Sequence, residues 1–282
     1  MSHAALAALG FTIGLAALGA PEAGRAQSAV MGSRAGPEQS GQSWGELAEA
    51  LFPGRAIAPG GEMIVIDAPY RAHDAATVPV EIDIVPPLGR VVSRFTLLVD
   101  ENPAPVAAEF EVGPGIGRKV ELATRLRIDA YSNVRVVAEL DDGSLHQSAV
   151  FVKASGGCSA PAMKNADEAV AAVGRMKLRA FYAGAGTAAG ALSEAQLMIR
   201  HPNHSGFQMD QVSLLTIPPW FVDEIEVRQG GELVLRVEGG ISLSEDPSLR
   251  FRYVPNGAGA FAVRVEDTSK GVFEAVFPLS GT

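Results

Sequence analysis

The sequence predicts an all-β chain: two immunoglobulin-like β-sandwich domains joined by a Gly-Gly-Cys segment and a short helix. Three observations carry that expectation. Apolar and polar residues alternate over long stretches, the period of strands with one face in a core. The 31 glycines and 18 prolines suit a turn-rich β protein rather than a helical bundle. With 282 residues, 47% of them hydrophobic, the chain has material for two ordinary domains with real cores and is not generally disordered.

The elements follow in order. Ala4 to Ala20 is an apolar run, and Gly24 and Ala26 place small residues where a signal peptidase needs them, with cleavage before Gln27. Residues 1–26 thus read as a signal peptide, which puts the mature chain in the periplasm. No Lys or Arg precedes the run, so a short membrane anchor or a misplaced start codon stays open as the alternative. Residues 27–42 are small, polar and Gly/Pro-containing and read as a disordered leader. Ser43 caps a short helix in which Trp44, Leu47 and Leu51 share a face, and Pro53-Gly54 ends it.

Residues 43–155 form the first sandwich. Val78, Val80, Ile82 and Ile84 alternate with polar residues, as do Val120, Leu122, Thr124, Leu126 and Ile128 against Lys119, Glu121, Arg125 and Arg127. Val134 to Leu140 repeats the pattern before the turn at Asp141-Asp142-Gly143 and the strand Leu145–Val152. With Met63–Ile66, Phe95–Val99 and Glu109–Val112 this makes about seven strands. Residues 156–192 hold the Gly-Gly-Cys segment, a helix from the capping box Asn165-Ala166-Asp167-Glu168 to about Met176, and a Gly/Ala-rich linker over 183–190. Residues 193–282 form a second, smaller sandwich: Gln196–Arg200, a hairpin turning at Gly230-Gly231, and alternating runs around Phe251, Val263 and Val272–Phe277.

Charge and motifs exclude several functions. Lys+Arg 23 against Asp+Glu 32 gives a net charge of -9, a poor match for nucleic acid or an anionic membrane surface. After signal cleavage no stretch reads as a membrane span. One cysteine permits neither an intramolecular disulfide nor a Cys-based zinc site. No phosphate loop, dinucleotide fingerprint or HExxH motif is present, and Gly113 to Gly117 is a turn between strands. His201-Pro202-Asn203-His204 has only Asp210 near it in sequence, so a polar loop is a better reading than a metal site. Neither a cofactor nor a metal is called for.

Cys158 is the residue with a chemical role to argue. It lies between Gly156-Gly157 and Ser159-Ala160-Pro161, outside any strand or helix. Glycines leave the backbone uncovered and free to enter a narrow pocket. An exposed thiol in an oxidising compartment oxidises or dimerises unless it has a task. A packing cysteine or an intermolecular disulfide are the other readings. The nearest cations in sequence are Lys153 and Lys164, too far along the chain to lower the thiol's pKa, so Cys158 reads as a group acted upon rather than a nucleophile. A Cys158–His201 enzyme needs a preorganised base, which flexible glycines oppose. No catalytic residue is assigned.

Several motifs in order resemble the SoxYZ sulfur-compound carriers, in the fused form associated with quinoprotein dehydrogenases. The Y-like part includes Ala68-Pro69-Tyr70-Arg71-Ala72, Asp100-Glu101-Asn102-Pro103-Ala104-Pro105, Phe110 to Gly117, Ala138 to Ser144, and Gly156-Gly157-Cys158. The Z-like part includes Ile199-Arg200-His201-Pro202, Ser205-Gly206, Ile217 to Val222 and Gly239-Gly240-Ile241-Ser242. The resemblance implies a non-enzymatic carrier with Cys158 as the covalent attachment site of a sulfur compound and Gly156 and Gly157 as its flexible flank. It implies a c-type cytochrome that loads a thiosulfate-derived group and a hydrolase that releases sulfate, or a quinoprotein dehydrogenase partner. A non-covalent adaptor of such a dehydrogenase or its cytochrome is the alternative. In the stand-alone Y protein the motif is Gly-Gly-Cys-Gly-Gly at the C-terminus. Here Ser159-Ala160-Pro161 follows, and the arm is tethered at both ends with a reach on the order of 13 Å.

Overall fold

A computed structural model of the chain describes residues 39–161, 166–181 and 192–279, together with Met1. The expected signal peptide beyond Met1, most of the expected leader and the expected linker over 183–190 lie outside the described residues. The first helix, α1 (Gln39–Leu51), begins four residues before Ser43, so Ser43 lies inside the helix rather than capping it.

Among the described residues, fifteen strands follow in two sheets. Eight precede the Gly-Gly-Cys segment: β1 (Ile57–Pro59), β2 (Ile64–Asp67), β3 (Val78–Ile84), β4 (Val92–Val99), β5 (Val106–Val112), β6 (Val120–Leu126), β7 (Ser132–Leu140) and β8 (Leu145–Val152). After it come α2 (Ala166–Ala172), β9 (Met176–Phe181), β10 (Ser193–Ile199), β11 (Val222–Gln229), β12 (Glu232–Gly239), β13 (Ser248–Tyr253), β14 (Ala260–Asp267) and β15 (Val272–Pro278). The helix expected to reach Met176 stops at Ala172. Gly174 turns the chain at φ +76, and Met176, Leu178 and Ala180 alternate inward as β9, paired antiparallel with β10.

The two sandwiches share their sheets. The larger sheet runs β1-β8-β7-β4-β5-β12-β11-β14-β15 and the smaller β2-β3-β6-β13-β10-β9. The halves meet where β5 pairs β12 (Val112↔Leu235 to Ala108↔Gly239) and β6 pairs β13 (Ala123↔Arg250, Leu122↔Phe251). Each pairing satisfies a row of edge N–H and C=O groups that would otherwise invite foreign strands. One core cluster spans both halves, from Val78, Val80, Phe95 and Phe110 to Leu197, Phe251, Tyr253 and Val263. All described residues after Met1 fall in one compact unit.

Most strands bury alternate residues, as in β3, β6 and β10. β7 is buried along nearly its whole length, because α1 covers its outer face. Trp44, Leu51 and Phe52 pack there on Leu98, Val137 and Leu145, and Trp44 lies 3.9 Å from the Arg135 guanidinium. Arg135 is held in turn by both carboxylate oxygens of Asp100, at 3.1 and 2.6 Å.

Candidate functional site

The seam between the two halves is polar at one end, and Cys158 sits there. The chain leaving β6 supplies the floor. Asn102 fixes it: its amide donates to the Arg127 carbonyl and to Ser242 Oγ, both at 2.8 Å, and its carbonyl oxygen accepts the Asp129 N–H at 2.8 Å. The Arg127 N–H donates to Ser242 O at 2.7 Å, and the Ile128 N–H to Ala75 O at 2.8 Å. Residues 127–129 are thus held from 74–76 on one side and from the Z-like half on the other.

The Gly-Gly-Cys segment lies on that floor. The Gly156 N–H donates to Asp129 O at 2.8 Å and the Gly157 N–H to Ile128 O at 3.0 Å. The Cys158 N–H donates to Asp129 Oδ1 at 3.2 Å. From the Z-like half, Ser205 Oγ donates to the Cys158 carbonyl, and Gln208 Nε2 donates to Ala160 O at 3.0 Å. Gln208 is itself placed by His204 Nδ1, 3.0 Å from its carbonyl oxygen. The expectation of an exposed thiol is therefore not what the structure shows: Cys158 is 0% exposed.

The two glycines have separate reasons in this arrangement. Gly156 takes φ +76, which a side chain resists. Gly157 lies so close to the floor that a Cβ would come 2.1 Å from Ala75 O and 2.7 Å from Ile128 N.

Electrostatics make the docked thiol hard to ionise. Burial, followed by the Asp129 carboxylate, pushes its pKa up to about 11, and Arg127 opposes this. The thiol is the nucleophilic form only when ionised, so the docked cysteine is a poor nucleophile at neutral pH. Among the described residues Arg127 is the one cation acting on it. Sequence alternation put Arg127 on the polar face of a strand, but β6 ends at Leu126 and the Z-like half covers the next residue, leaving Arg127 1% exposed. Its Nη2 donates to Asn203 O at 3.0 Å and reaches Pro202 O at 3.5 Å, while its Nε is buried with no hydrogen-bond partner. Burial lowers the guanidinium pKa, and the charges of Cys158, Glu245 and Asp74 oppose that.

His201, the base that sequence reading weighed against Cys158, is engaged by other groups. His201 is buried, and its Nδ1 accepts the Asn203 N–H at 3.0 Å. Its Nε2 lies 3.5 Å from Asp267 Oδ2, and its ring meets Trp220 edge-on at 4.9 Å. Burial lowers the His201 pKa despite Asp267, which keeps the ring neutral. No group of three or more His, Cys, Asp or Glu fit to hold a metal occurs among the described residues.

Sequence reading singled out Cys158, Gly156 and Gly157, and the structure brings all three to the seam. It did not single out Arg127, Asp129 or Gln208. Their one signal in the sequence is that Arg127 and Asp129 bracket an apolar residue where alternation breaks off after Ile128. Ser205 stood among the resemblance motifs without a role.

Comparison with known proteins assigns each half a family. The family model described as "Sulfur oxidation protein SoxY" matches residues 48–158, ending on Cys158. The model "Sulphur oxidation protein SoxZ" matches residues 183–278. No curated protein matches the chain. Among solved structures, the sulfur carrier protein SoxY from Chlorobium limicola f thiosulfatophilum is 26% identical, with a TM-score of 0.33 over 41% of this chain and 94% of that one. A superoxide reductase (neelaredoxin) from Ignicoccus hospitalis is 15% identical, with a TM-score of 0.28 over 39% of this chain and 96% of that one. With a SoxY and a SoxZ domain in one polypeptide, meeting at the seam where Cys158 docks, the chain belongs to the SoxYZ sulfur-oxidation carriers.

Proposed function

We propose that the chain carries a sulfur compound, thiosulfate-derived or related, covalently on Cys158 and presents it in the periplasm to redox and hydrolase partners. One observation supports this above others. The hydrogen bonds that dock the arm on both halves run through its backbone: the N–H groups of Gly156, Gly157 and Cys158 and the carbonyls of Cys158 and Ala160. The cysteine side chain takes no part in them. A carrier needs that division, because the cargo changes while the docking contacts stay the same. The docked thiol's high pKa fits a second requirement, that loading happen only when a partner draws the arm out.

Intact-protein mass spectrometry on the mature protein purified from its own periplasm tests the reading. The expected result is a sulfur-containing adduct that reductant removes and that Cys158→Ser lacks. An unmodified thiol in cells growing on the relevant substrate sinks covalent carriage.

A second reading is favoured by the loop that follows Ser205. Phe207, Met209, Val212, Leu214 and Leu215 are all exposed beside the docked arm. Such a surface suits a non-covalent adaptor of a quinoprotein dehydrogenase or its c-type cytochrome. On that reading Cys158→Ser keeps partner function.

A further inference from the structure

Arg127 is balanced in part by the charges of Glu245 and Asp74, yet its hydrogen bonds go to neutral groups. A guanidinium is costly to bury, and a buried N–H left without an acceptor adds to that cost. Arg127 is 1% exposed, and its donations go to the neutral carbonyls of Asn203 and Pro202. Its Nε–H has none.

We propose that Arg127 is the internal counter-ion of an anionic sulfur cargo on Cys158, with its free Nε–H donating to an oxyanion at the cargo's outer end when the arm is docked. The inference rests on Cys158 being the attachment site. Three observations place the charge there. The arm pairs with the two residues that follow Arg127, through Ile128 O, Asp129 O and Asp129 Oδ1. The Arg127 guanidinium reaches across to Asn203, two residues from the Ser205 that holds the Cys158 carbonyl. Cys158 and Arg127 also act on each other's ionisation, so a negative charge at Cys158 is felt at the guanidinium.

Two opposed charges act on Cys158 itself, while Glu245 and Asp74 act on Arg127. Asp129 accepts the Cys158 N–H and repels an anion on that residue, whereas Arg127 attracts one. Without Arg127 only the repulsion remains, so the anionic cargo is driven out of the docked state. A neutral cargo of similar size has no such dependence. Arg127 is therefore a positioning residue that sorts cargo by charge.

Two adducts of the full-length protein separate this from a structural role. Tetrathionate loads the anionic one: the Cys158 thiolate attacks an inner sulfur, a new S–S bond forms, and thiosulfate leaves, giving Cys–S–S–SO3−. Methyl methanethiosulfonate loads the neutral one, Cys–S–S–CH3, with methanesulfinate leaving. The readout is the rate at which dithiothreitol strips each adduct, followed by intact mass.

Arg127→Gln is expected to speed loss of the anionic adduct about tenfold, the lower end of what a hydrogen bond to a charged group is worth. The methyl adduct should change less than twofold, and Arg127→Lys should recover part of the protection. Equal acceleration of both adducts, or of neither, overturns the proposal. So does failure of tetrathionate to load a protein that the methyl reagent loads. Should Arg127→Gln not fold, the wild-type protein decides: the anionic adduct must melt above the methyl adduct, and the reverse order overturns the idea. An unmodified Cys158 in cells would end the carrier reading and leave this result standing, because the probe adducts are loaded in vitro.

Discussion

Cys158 is buried in the seam, so on the carrier reading its reactivity depends on the arm leaving, and its raised pKa sets the pH at which that becomes easier. The docked thiol titrates at about 11 against an ordinary 9.0. A group whose pKa is raised on docking favours the docked state fully below the undocked pKa and loses that contribution as pH rises towards the docked value. The alkylation rate of Cys158 by iodoacetamide should therefore stay low below about pH 9 and climb steeply up to about pH 11. Gly157→Ala should abolish the lag. Its Cβ would sit 2.1 Å from Ala75 O, so the arm cannot dock, and alkylation at pH 7.5 should rise about tenfold or more with the sheets intact by circular dichroism. An unchanged rate would mean the seam does not hold the thiol.

At the scale of elements, α1 is an outer clamp on the larger sheet rather than part of the main core. Trp44 joins Leu51 and Phe52 on the patch of Leu98, Val137 and Leu145 and adds the contact with Arg135. Trp44→Ala should cost about 2 kcal/mol in urea unfolding, below the range for a fully buried aromatic because Trp44 is only partly buried. Amide exchange should quicken over 39–51 while β10 to β15 stay protected. Loss of protection throughout would place α1 in the cooperative core. This element also shows how far local pattern reaches. The shared face of Trp44, Leu47 and Leu51 was legible because a helix writes its period into nearby residues. Its start at Gln39 was not, since Ser43 offered a cap that the chain does not use. β9 was missed for a related reason: a short alternating run after a helix blends with that helix's period, and it becomes a strand only because β10 offers an edge.

For the whole molecule, the joined sheets change what fusion means. The β5–β12 and β6–β13 pairings and the shared core tie the two halves into one folding unit. Calorimetry should show a single cooperative transition, and a chain cut between the halves should leave the edges of β5 and β6 open and self-associate. Two separate transitions would mean that the seam is a loose contact. The seam also gives Cys158 its address, since Ala75 and Asp129 come from one half and Ser205 and Gln208 from the other.

The sequence by itself determined the all-β class and most of the strands, and it marked the Gly-Gly-Cys segment as the candidate site. Those features are local: period-two alternation, turn residues and a lone thiol between glycines are written in neighbouring positions. Only the tertiary structure decided that the sheets run through both halves, that the thiol is docked rather than exposed, and that Arg127 lies beside it. In sequence Arg127 reads as an outward residue of β6, 31 positions from Cys158. Its burial comes from the Z-like half closing over the strand's end. No local pattern records such closure, because the residues that bury Arg127 lie some 75 positions away along the chain.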